Sequence, residues 1–182
     1  MSKVFTVDIS KCSGCYNCQL ACKDEFAGND WPPYSLAQPA TGHFWMKVDE
    51  HVEGTIPKVR IHYIPRLCNH CGKAACIPAC PAGCIKKDED TGFTVYDNTN
   101  CIGCRSCAMA CPFGAPTFNS TGKMEKCDGC YVRVALGMEP ACVKICPTKA
   151  LRLLTEEEYQ KEKSPASLAG RCEEITVPAV KI

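Results

Sequence analysis

Cysteine dominates this sequence, and the cysteines are regularly spaced. Sixteen of the 18 cysteines in the 182-residue chain fall into four quartets. The quartets are Cys12, Cys15, Cys18 and Cys22; Cys68, Cys71, Cys76 and Cys80; Cys101, Cys104, Cys107 and Cys111; and Cys127, Cys130, Cys142 and Cys146. Short gaps separate the members of each quartet, except for eleven residues before Cys142, and a proline follows each of the last three quartets. Thiolates at this spacing are ligands of [4Fe–4S] clusters, so the pattern indicates electron transfer.

The spacing has a physical reason. A two-residue gap lets two thiolates of one tight turn reach neighbouring irons, and the third cysteine closes the loop. The fourth cysteine, expected on the first turn of a helix, points away and in two-cluster ferredoxins binds the other cluster. Gly14, Gly103 and Gly129 lie inside the first CxxC of three quartets, where they allow a positive φ and turn backbone N–H groups toward an anionic cluster. In the second quartet, Asn69 is the residue expected to tolerate this geometry.

Three other roles for the cysteines compete with clusters. A disulfide-rich secreted scaffold is one, but the first twenty residues show no signal peptide, and cysteines this close in sequence are poor partners for one another. Structural zinc favours two CxxC pairs or Cys/His mixtures around a single ion. Free core thiols would not repeat the same pattern four times. Clusters are therefore the preferred interpretation.

Composition limits the classes of function. Only 8% of the residues are aromatic, so the conventional core is small and the metal-free chain is expected to fold poorly. The formal net charge is +1, but each oxidised cluster with four thiolates adds about −2. An acidic protein without a basic stripe is not expected to bind nucleic acid. The sequence also lacks eighteen consecutive apolar residues, so no membrane span is expected.

The order of the quartets predicts an α+β fold with two nested bacterial-ferredoxin-like two-cluster modules and an inserted β-hairpin. Residues 68–119 would form the inner module, and residues 1–27 plus 120–154 the outer one. Residues 28–67 would form the inserted loop and hairpin. Residues 155–182 would form a short helix and an extended tail that docks on a partner.

Crossing of the fourth cysteines predicts four ligand sets. They are set A (Cys12, Cys15, Cys18, Cys146), set B (Cys22, Cys127, Cys130, Cys142), set C (Cys68, Cys71, Cys76, Cys111) and set D (Cys80, Cys101, Cys104, Cys107). His70 is a candidate for donating a hydrogen bond to a cluster sulfur and raising that cluster's potential, with an exposed spectator imidazole as the alternative. Cys84 is expected to be a buried inert thiol and Cys172 a bystander. No catalytic constellation is present, so the active site is expected on another chain.

Other segments predict regular structure. HFWMKVDEHV and KVRIHYIP read as two strands joined around Glu53–Thr55, a hairpin that would cap the outer clusters or dock on a partner. Trp31, Trp45 and Tyr63 are expected to be packing anchors. Near the end of the sequence, ALRLL predicts a strand, and Thr155–Glu158 has the capping-box pattern that begins a helix.

Three longer strings carry a family resemblance. CNHCGKAACIPACPAGCI, CIGCRSCAMACPFGAPTF and KCDGCYVRVALGMEPACVKICPTKAL resemble the iron–sulfur subunit of the dimethyl-sulfoxide-reductase family of molybdenum and tungsten enzymes. The resemblance runs from about residue 3 to residue 154 and includes the eleven-residue gap, which simple ferredoxins lack. It implies four [4Fe–4S] clusters with the ligand sets given above. It also implies a large catalytic partner that holds a molybdenum- or tungsten-bis-pterin cofactor, with a further redox partner or a membrane anchor subunit as an additional expected partner.

A narrower likeness concerns Asn29–Pro32 and Gly42–Met46. These segments resemble the small subunit of pyrogallol–phloroglucinol transhydroxylase, which implies that the partner acts on phenolic rings. The alternative function is that of a polyferredoxin-type carrier serving an aldehyde oxidoreductase, a hydrogenase or another reductase. The expected location is the cytoplasm, with export to the periplasm beside a signal-bearing partner as the alternative.

Overall fold

The structure, a computed structural model, describes residues 3–26 and 45–162. Within these ranges it consists of four two-stranded antiparallel sheets connected by short helices. The strands are β1 (Lys3–Val7), β2 (Lys47–Thr55), β3 (Lys58–Arg66), β4 (Ile85–Lys87), β5 (Thr94–Tyr96), β6 (Thr117–Phe118), β7 (Met124–Glu125) and β8 (Leu151–Thr155). The α-helices are α1 (Asn17–Glu25), α2 (Ser106–Ala110), α3 (Tyr131–Ala135), α4 (Ala141–Ile145) and α5 (Glu156–Glu162), and Ile9–Lys11 forms a 3₁₀ turn.

Strands β1 and β8 join the start of the described chain to its end. They pair antiparallel from Lys3 opposite Thr155 to Val7 opposite Leu151. Leu151 is only 1% exposed, so it anchors this sheet in the core. The strand predicted from ALRLL is thereby confirmed, and the pairing brings α1 against α4.

The predicted hairpin is confirmed as β2 and β3, but its turn lies further along than expected. Pairing continues past Gly54 to Thr55 opposite Lys58, so the loop consists of Ile56 and Pro57. The predicted turn at Glu53–Thr55 was therefore wrong. Proline has no N–H to contribute to the ladder, which explains why pairing stops there.

The base of this hairpin is attached to α1. Gln19 Oε1 accepts a hydrogen bond from the Val48 N–H at 3.2 Å. The Tyr16 hydroxyl donates to the Glu50 carboxylate, and the Tyr16 ring meets the Tyr63 ring edge-on at 6.4 Å between centroids. The hairpin is thus fixed to the element that carries the end of the first quartet.

A second hairpin, formed by β4 and β5, occupies the stretch predicted to be hairpin-like between the second and third quartets. Its register runs from Ile85 opposite Tyr96 to Lys87 opposite Thr94. Thr94 is 1% exposed, so this small sheet lies inside the molecule and can place groups between the cysteines.

Three of the helices begin beside the third cysteine of a quartet, and the expectation that the fourth cysteine lies in the first turn of a helix was wrong. The cysteines in the first turn of α1, α2 and α4 are Cys18, Cys107 and Cys142. Cys111 and Cys146 instead follow the last residues of α2 and α4. The residues before α1 and α2 adopt left-handed backbone conformations, with φ values of 58° at Tyr16 and 64° at Arg105, so the chain turns into the helix just before the third cysteine enters it.

Cysteines form much of the buried interior. One buried cluster combines cysteines of sets A and B, and Cys68, with residues such as Met46 and Val143. A second combines cysteines of sets C and D with Ile85 and Met124. Trp45 is buried and meets the Phe26 ring edge-on at 4.3 Å, so its predicted anchoring role is confirmed.

Helix α5 begins as its capping box predicts. The Thr155 N–H donates to Glu158 Oε2 at 2.8 Å, and the Glu158 N–H donates back to Thr155 Oγ1 at 3.3 Å. Several predictions concern residues outside the described ranges: both transhydroxylase-like segments apart from Trp45 and Met46, the anchoring role of Trp31, and the tail with Cys172. No helix in the described ranges has both the length and the apolar character needed to cross a membrane.

Candidate metal centres

The four cysteines of set A surround one space of about 310 Å³. Val48 of β2 and Pro65 of β3 line the same space, so the hairpin covers this set. Burial raises the pKa of the Cys18 thiol to about 11, and repulsion from the other thiols of set A adds to the shift. Because Cys146 lies here with the first three cysteines, the structure brings the first and fourth quartets together.

Sets C and D surround spaces of similar size. Set C lines about 290 Å³ together with Thr94 and Lys126. Set D lines about 300 Å³ together with Cys84. Cys111 of the third quartet faces the space of set C, and Cys80 of the second quartet faces that of set D. Each of these two sets therefore draws its cysteines from both quartets.

Set B is the most deeply buried of the four sets, since none of its cysteines is more than 9% exposed. Burial raises the pKa of every thiol in the set, to about 12 for Cys130. Mutual repulsion contributes as well. Cys130 and Cys22 raise the pKa of the Cys142 thiol, and Cys22 and Cys142 raise that of the Cys127 thiol. The four thiols are thus within electrostatic reach of one another.

Set B also stands between two other sets. Repulsion from Cys18 of set A helps to raise the pKa of Cys142, and repulsion from Cys68 of set C helps to raise the pKa of Cys127. Sets C and D adjoin in turn, because Cys76 and Cys107 share one buried cluster. The sets therefore follow one another in the order A, B, C, D.

The donor atoms and their surroundings fit iron–sulfur clusters. Every cysteine in the described part of the chain is a free thiol. In the same residues, no three His, Cys, Asp or Glu side chains are arranged to hold a single metal ion. Four thiols around an open space are suited to a cubane, whose irons stand apart and each take one thiolate.

Backbone N–H groups point at several of the sulfurs. The Met124 N–H donates to Cys101 Sγ at 3.3 Å, and the Gly129 N–H donates to Cys127 Sγ at 3.4 Å. Such donors favour the anionic form of a sulfur atom. They are the surroundings that a thiolate bound to an anionic cluster requires.

The glycines predicted to have positive φ do so, with values of 65° at Gly14, 70° at Gly103 and 79° at Gly129. In the second quartet, however, the left-handed residue is His70, with φ of 46°, and the expectation for Asn69 was wrong. His70 holds the same position as the glycines, directly before the second cysteine of its quartet. Histidine is among the residues that tolerate this conformation, and the packing of its ring fixes it there.

His70 is buried, and the alternative of an exposed spectator was wrong. Its ring stacks on Phe5 at 5.7 Å and packs against Phe93 at 4.8 Å. Nδ1 accepts a hydrogen bond from the Thr94 N–H at 3.1 Å, and Nε2 lies 3.5 Å from Cys127 Sγ. Burial holds the pKa of the imidazole well below its ordinary value. The sulfur that it meets belongs to set B, although its sequence neighbours belong to set C.

Lys126 is a site residue that the sequence did not reveal. Its side chain is 0% exposed, and Nζ donates to the carbonyls of Thr94 and Cys127, the latter at 2.7 Å. The same Nζ lies 3.8 Å from Cys68 Sγ in set C. Lysines are almost never fully buried without partners, and a lysine beside a cysteine carries no sequence signal that it will point inward.

Cys84 is buried, as predicted. Its Sγ lies 3.9 Å from the Ala82 carbonyl, and burial raises the pKa of its thiol to about 11. Its backbone N–H donates to Cys80 Sγ at 3.3 Å. The residue thus contacts set D through its main chain, a contribution that sequence reasoning missed.

Solvent reaches the two terminal sets. Among the cysteines that the structure describes, only Cys15 of set A and Cys104 of set D are exposed. A hydrogen bond from the Ser106 side chain, with another from its backbone, lowers the pKa of the Cys104 thiol. Exposed cysteines are thus found only in the first and last sets of the row, among the residues that the structure describes.

Two protein-family models match this sequence. A 4Fe-4S dicluster domain matches residues 59–156, which include the second, third and fourth quartets. A 4Fe-4S binding domain matches residues 9–28, which include the first.

Three similar proteins are chains of anaerobic dimethyl sulfoxide or arsenate reductases. The sequence is 43% identical over 173 residues to the B subunit of the anaerobic dimethyl sulfoxide reductase of Escherichia coli, covering 87% of this protein and 76% of that one. It is 42% identical over 181 residues to YnfG of the same species, a probable anaerobic dimethyl sulfoxide reductase chain, covering 91% and 80%. It is 33% identical over 193 residues to the arsenate respiratory reductase iron-sulfur subunit ArrB of a Shewanella strain, covering 79% and 77%.

Proposed function

Because this protein belongs to the family of iron–sulfur electron-transfer subunits of dimethyl-sulfoxide-reductase-type oxidoreductases, we propose that it conducts electrons through four [4Fe–4S] clusters. At one end of this path, the clusters exchange electrons with a catalytic partner that holds a molybdenum- or tungsten-bis-pterin cofactor. The electron-transfer subunit itself supplies no catalytic residues.

One observation carries this proposal: sixteen cysteines stand in four groups of four. The spaces of sets A, C and D are each lined by their own four cysteines, and the four of set B sense one another electrostatically. We assign one cluster to each set, with the ligands as named. We also propose the nested modules, inner residues 68–119 and outer residues 1–27 plus 120–154, because each set mixes cysteines from two quartets.

The protein residues do three things in this function. A bound [4Fe–4S] cluster takes up or releases one electron at a time. The thiolates hold the four clusters in a fixed row, so that no cluster has to move. Burial of set B keeps water from the middle of the row, and exposed Cys15 and Cys104 leave its two ends accessible.

The partner's substrate is a separate question. The relatives are named for dimethyl sulfoxide and arsenate reduction, which makes a sulfoxide or an oxyanion one class of candidate. The likeness at residues 29–32 and 42–46 makes phenolic rings the other. We place the complex in the cytoplasm, with the periplasm as the alternative if the partner carries an export signal. A membrane anchor or another redox protein would meet the end of the row that the catalytic partner leaves free.

Anaerobic co-purification tests the proposal. The full chain, expressed with the genes beside its own, should bring down a large subunit containing molybdenum or tungsten. Iron analysis should give about sixteen irons per chain, four for each cluster. Electron paramagnetic resonance of the reduced sample should show interacting [4Fe–4S] centres.

Two results would contradict the proposal. A protein that is monomeric, redox-active and never accompanied by a molybdenum or tungsten protein would favour the free polyferredoxin-type carrier. Zinc in place of iron, with no broad absorption near about 400 nm, would establish a structural zinc protein.

A further inference from the structure

Two buried side chains cross between sets B and C in opposite directions. His70 lies in the loop of the second quartet, yet its Nε2 is 3.5 Å from Cys127 Sγ of set B. Lys126 lies beside Cys127, yet its Nζ is 3.8 Å from Cys68 Sγ of set C. Each loop therefore sends a nitrogen to a sulfur of the neighbouring set.

Thr94 on β5 orients both donors. Its N–H donates to His70 Nδ1 at 3.1 Å. A ring nitrogen that accepts carries no hydrogen, so the imidazole N–H is on Nε2, which faces Cys127 Sγ. The Thr94 carbonyl accepts from Lys126 Nζ, so one buried residue positions the two crossing contacts.

We propose that His70 and Lys126 are positioning residues that set the reduction potentials of the clusters in sets B and C and keep the two matched. This inference rests on the proposed function and on the ligand sets assigned there. Hydrogen bonds to cluster or thiolate sulfur favour the reduced, more negative state and so raise the potential. Each residue acts most strongly on the cluster whose sulfur its nitrogen contacts, which is not the cluster of its own neighbours in sequence.

The two crossed contacts, His70 with set B and Lys126 with set C, affect electron flow. Sets B and C meet in the middle of the row, so every electron must pass between them. Donors on both sides raise both potentials together, which keeps that step close to thermoneutral in either direction. Removal of one donor would lower the potential of only one cluster, so electron transfer between the two clusters would become unfavourable in one direction.

Two variants isolate the contacts. His70→Asn keeps a residue that tolerates the left-handed backbone and keeps an acceptor for the Thr94 N–H, but its side chain is too short to reach Cys127. Lys126→Met keeps the length of the side chain and removes its donors. Both are made in the full chain and studied as the purified complex by potentiometric titration with electron paramagnetic resonance. Cys130→Ser and Cys71→Ser, which change one ligand in set B and in set C, identify the two signals.

The expected result is a crossed pattern. His70→Asn lowers the potential of the set B cluster and leaves set C unchanged. Lys126→Met lowers the potential of set C more than that of set B, which the Lys126 charge also reaches through Cys127. A lost hydrogen bond of ordinary strength corresponds to a change of about threefold to tenfold in the reduction equilibrium, and tenfold is about 59 mV for one electron. The double variant lowers both.

A partly buried lysine nearby, Lys87, provides the control. Lys87 Nζ donates to the carbonyls of His70 at 2.8 Å and Gly92 at 2.9 Å, and its charge reaches Cys71 and Cys68. Lys87→Met should therefore shift set C less than Lys126→Met does. Equal shifts would mean that charge alone, and not the contact with sulfur, is responsible, and would overturn the inference.

Other outcomes separate the inference from the proposed function. If four clusters are present and His70→Asn shifts set C or neither set, the inference is wrong and the function stands. If the unaltered complex contains no [4Fe–4S] signals, the proposed function itself is wrong. Iron content and circular dichroism of each variant show whether Lys126→Met still folds, and if it does not, His70→Asn alone decides.

Discussion

Gly14 lies directly against the ring of Tyr63. A β-carbon at position 14 would stand 2.5 Å from the Cδ1, Cε1 and Cζ atoms of that ring. Gly14 belongs to the first quartet and Tyr63 to β3, so the hairpin closes over set A without room for a side chain. Of the two roles predicted for the hairpin, this contact supports capping of an outer cluster.

Gly14→Ala should remove the cluster of set A. The substitution combines a clash with Tyr63 and a left-handed backbone, φ of 65°, that costs an L-residue about 1–2 kcal/mol. Iron content should fall by about four atoms per chain, with the loss of one paramagnetic signal.

Gly83→Ala is the matched control, because Gly83 has φ of 62° but nothing within 4 Å of its would-be β-carbon. It should lower stability modestly and keep all the iron. If both variants lose iron equally, backbone conformation and not the contact with Tyr63 explains the effect. Tyr63→Ala should restore part of the iron to the Gly14→Ala protein.

Arg133 and Glu25 tie α3 to α1 through an ion pair of 3.0 Å between Nη1 and Oε2. Both side chains are partly exposed, so the pair should contribute about 0.5 kcal/mol. A double-mutant cycle with Arg133→Ala and Glu25→Ala, followed by anaerobic unfolding, measures this coupling energy. The coupling should shrink as salt is added; a value that salt does not change would show that the two residues interact through packing.

Cys84→Ala should leave four clusters in place. Its thiol contacts the Ala82 carbonyl and the Cys80 side chain, whereas its backbone N–H, which alanine retains, donates to Cys80 Sγ. Cys80→Ala should instead remove the cluster of set D. Iron analysis and electron paramagnetic resonance compare the two variants. Loss of iron in Cys84→Ala with retention in Cys80→Ala would reverse the assigned ligand.

Removal of the clusters should unfold the protein. Cysteines fill much of both buried clusters, and ligand binding at such sites supplies folding free energy. After oxidative extraction of iron with a chelator, circular dichroism should lose its cooperative thermal transition, while a sample given chelator without oxidant keeps it. A metal-free protein that still melts cooperatively would show that the apolar residues suffice for the fold.

The sequence contained the features set by local geometry. Gly14, Gly103 and Gly129 could be recognised because each turn admits few residues, and the capping box at Thr155 because both partners lie within one helical turn. The error at His70 has a different origin. Asn69 had the better intrinsic tolerance, but the position before the second cysteine is the one that must turn, and the packing of Phe5 and Phe93 lets a histidine fill it.

Features that depend on residues far apart in the sequence could not be predicted in the same way. Lys126 points inward because the Thr94 carbonyl, from another hairpin, accepts a hydrogen bond from its ammonium group. Strand β1 was missed because its partner, β8, lies nearly the whole sequence away. The end of the β2–β3 hairpin was misplaced because Gly54 looked like a turn residue although the ladder continues beyond it.

Because each ligand set takes cysteines from two quartets, the four sets are completed at different times during synthesis. All the cysteines of sets C and D have been synthesised once residue 111 is made, whereas set B waits for Cys142 and set A for Cys146. Domains fold as their residues emerge from the ribosome. The middle of the protein can therefore acquire iron while the sites at the two ends of the sequence are still incomplete, and a nascent polypeptide halted before Cys142 would carry its first cysteines as unprotected thiols.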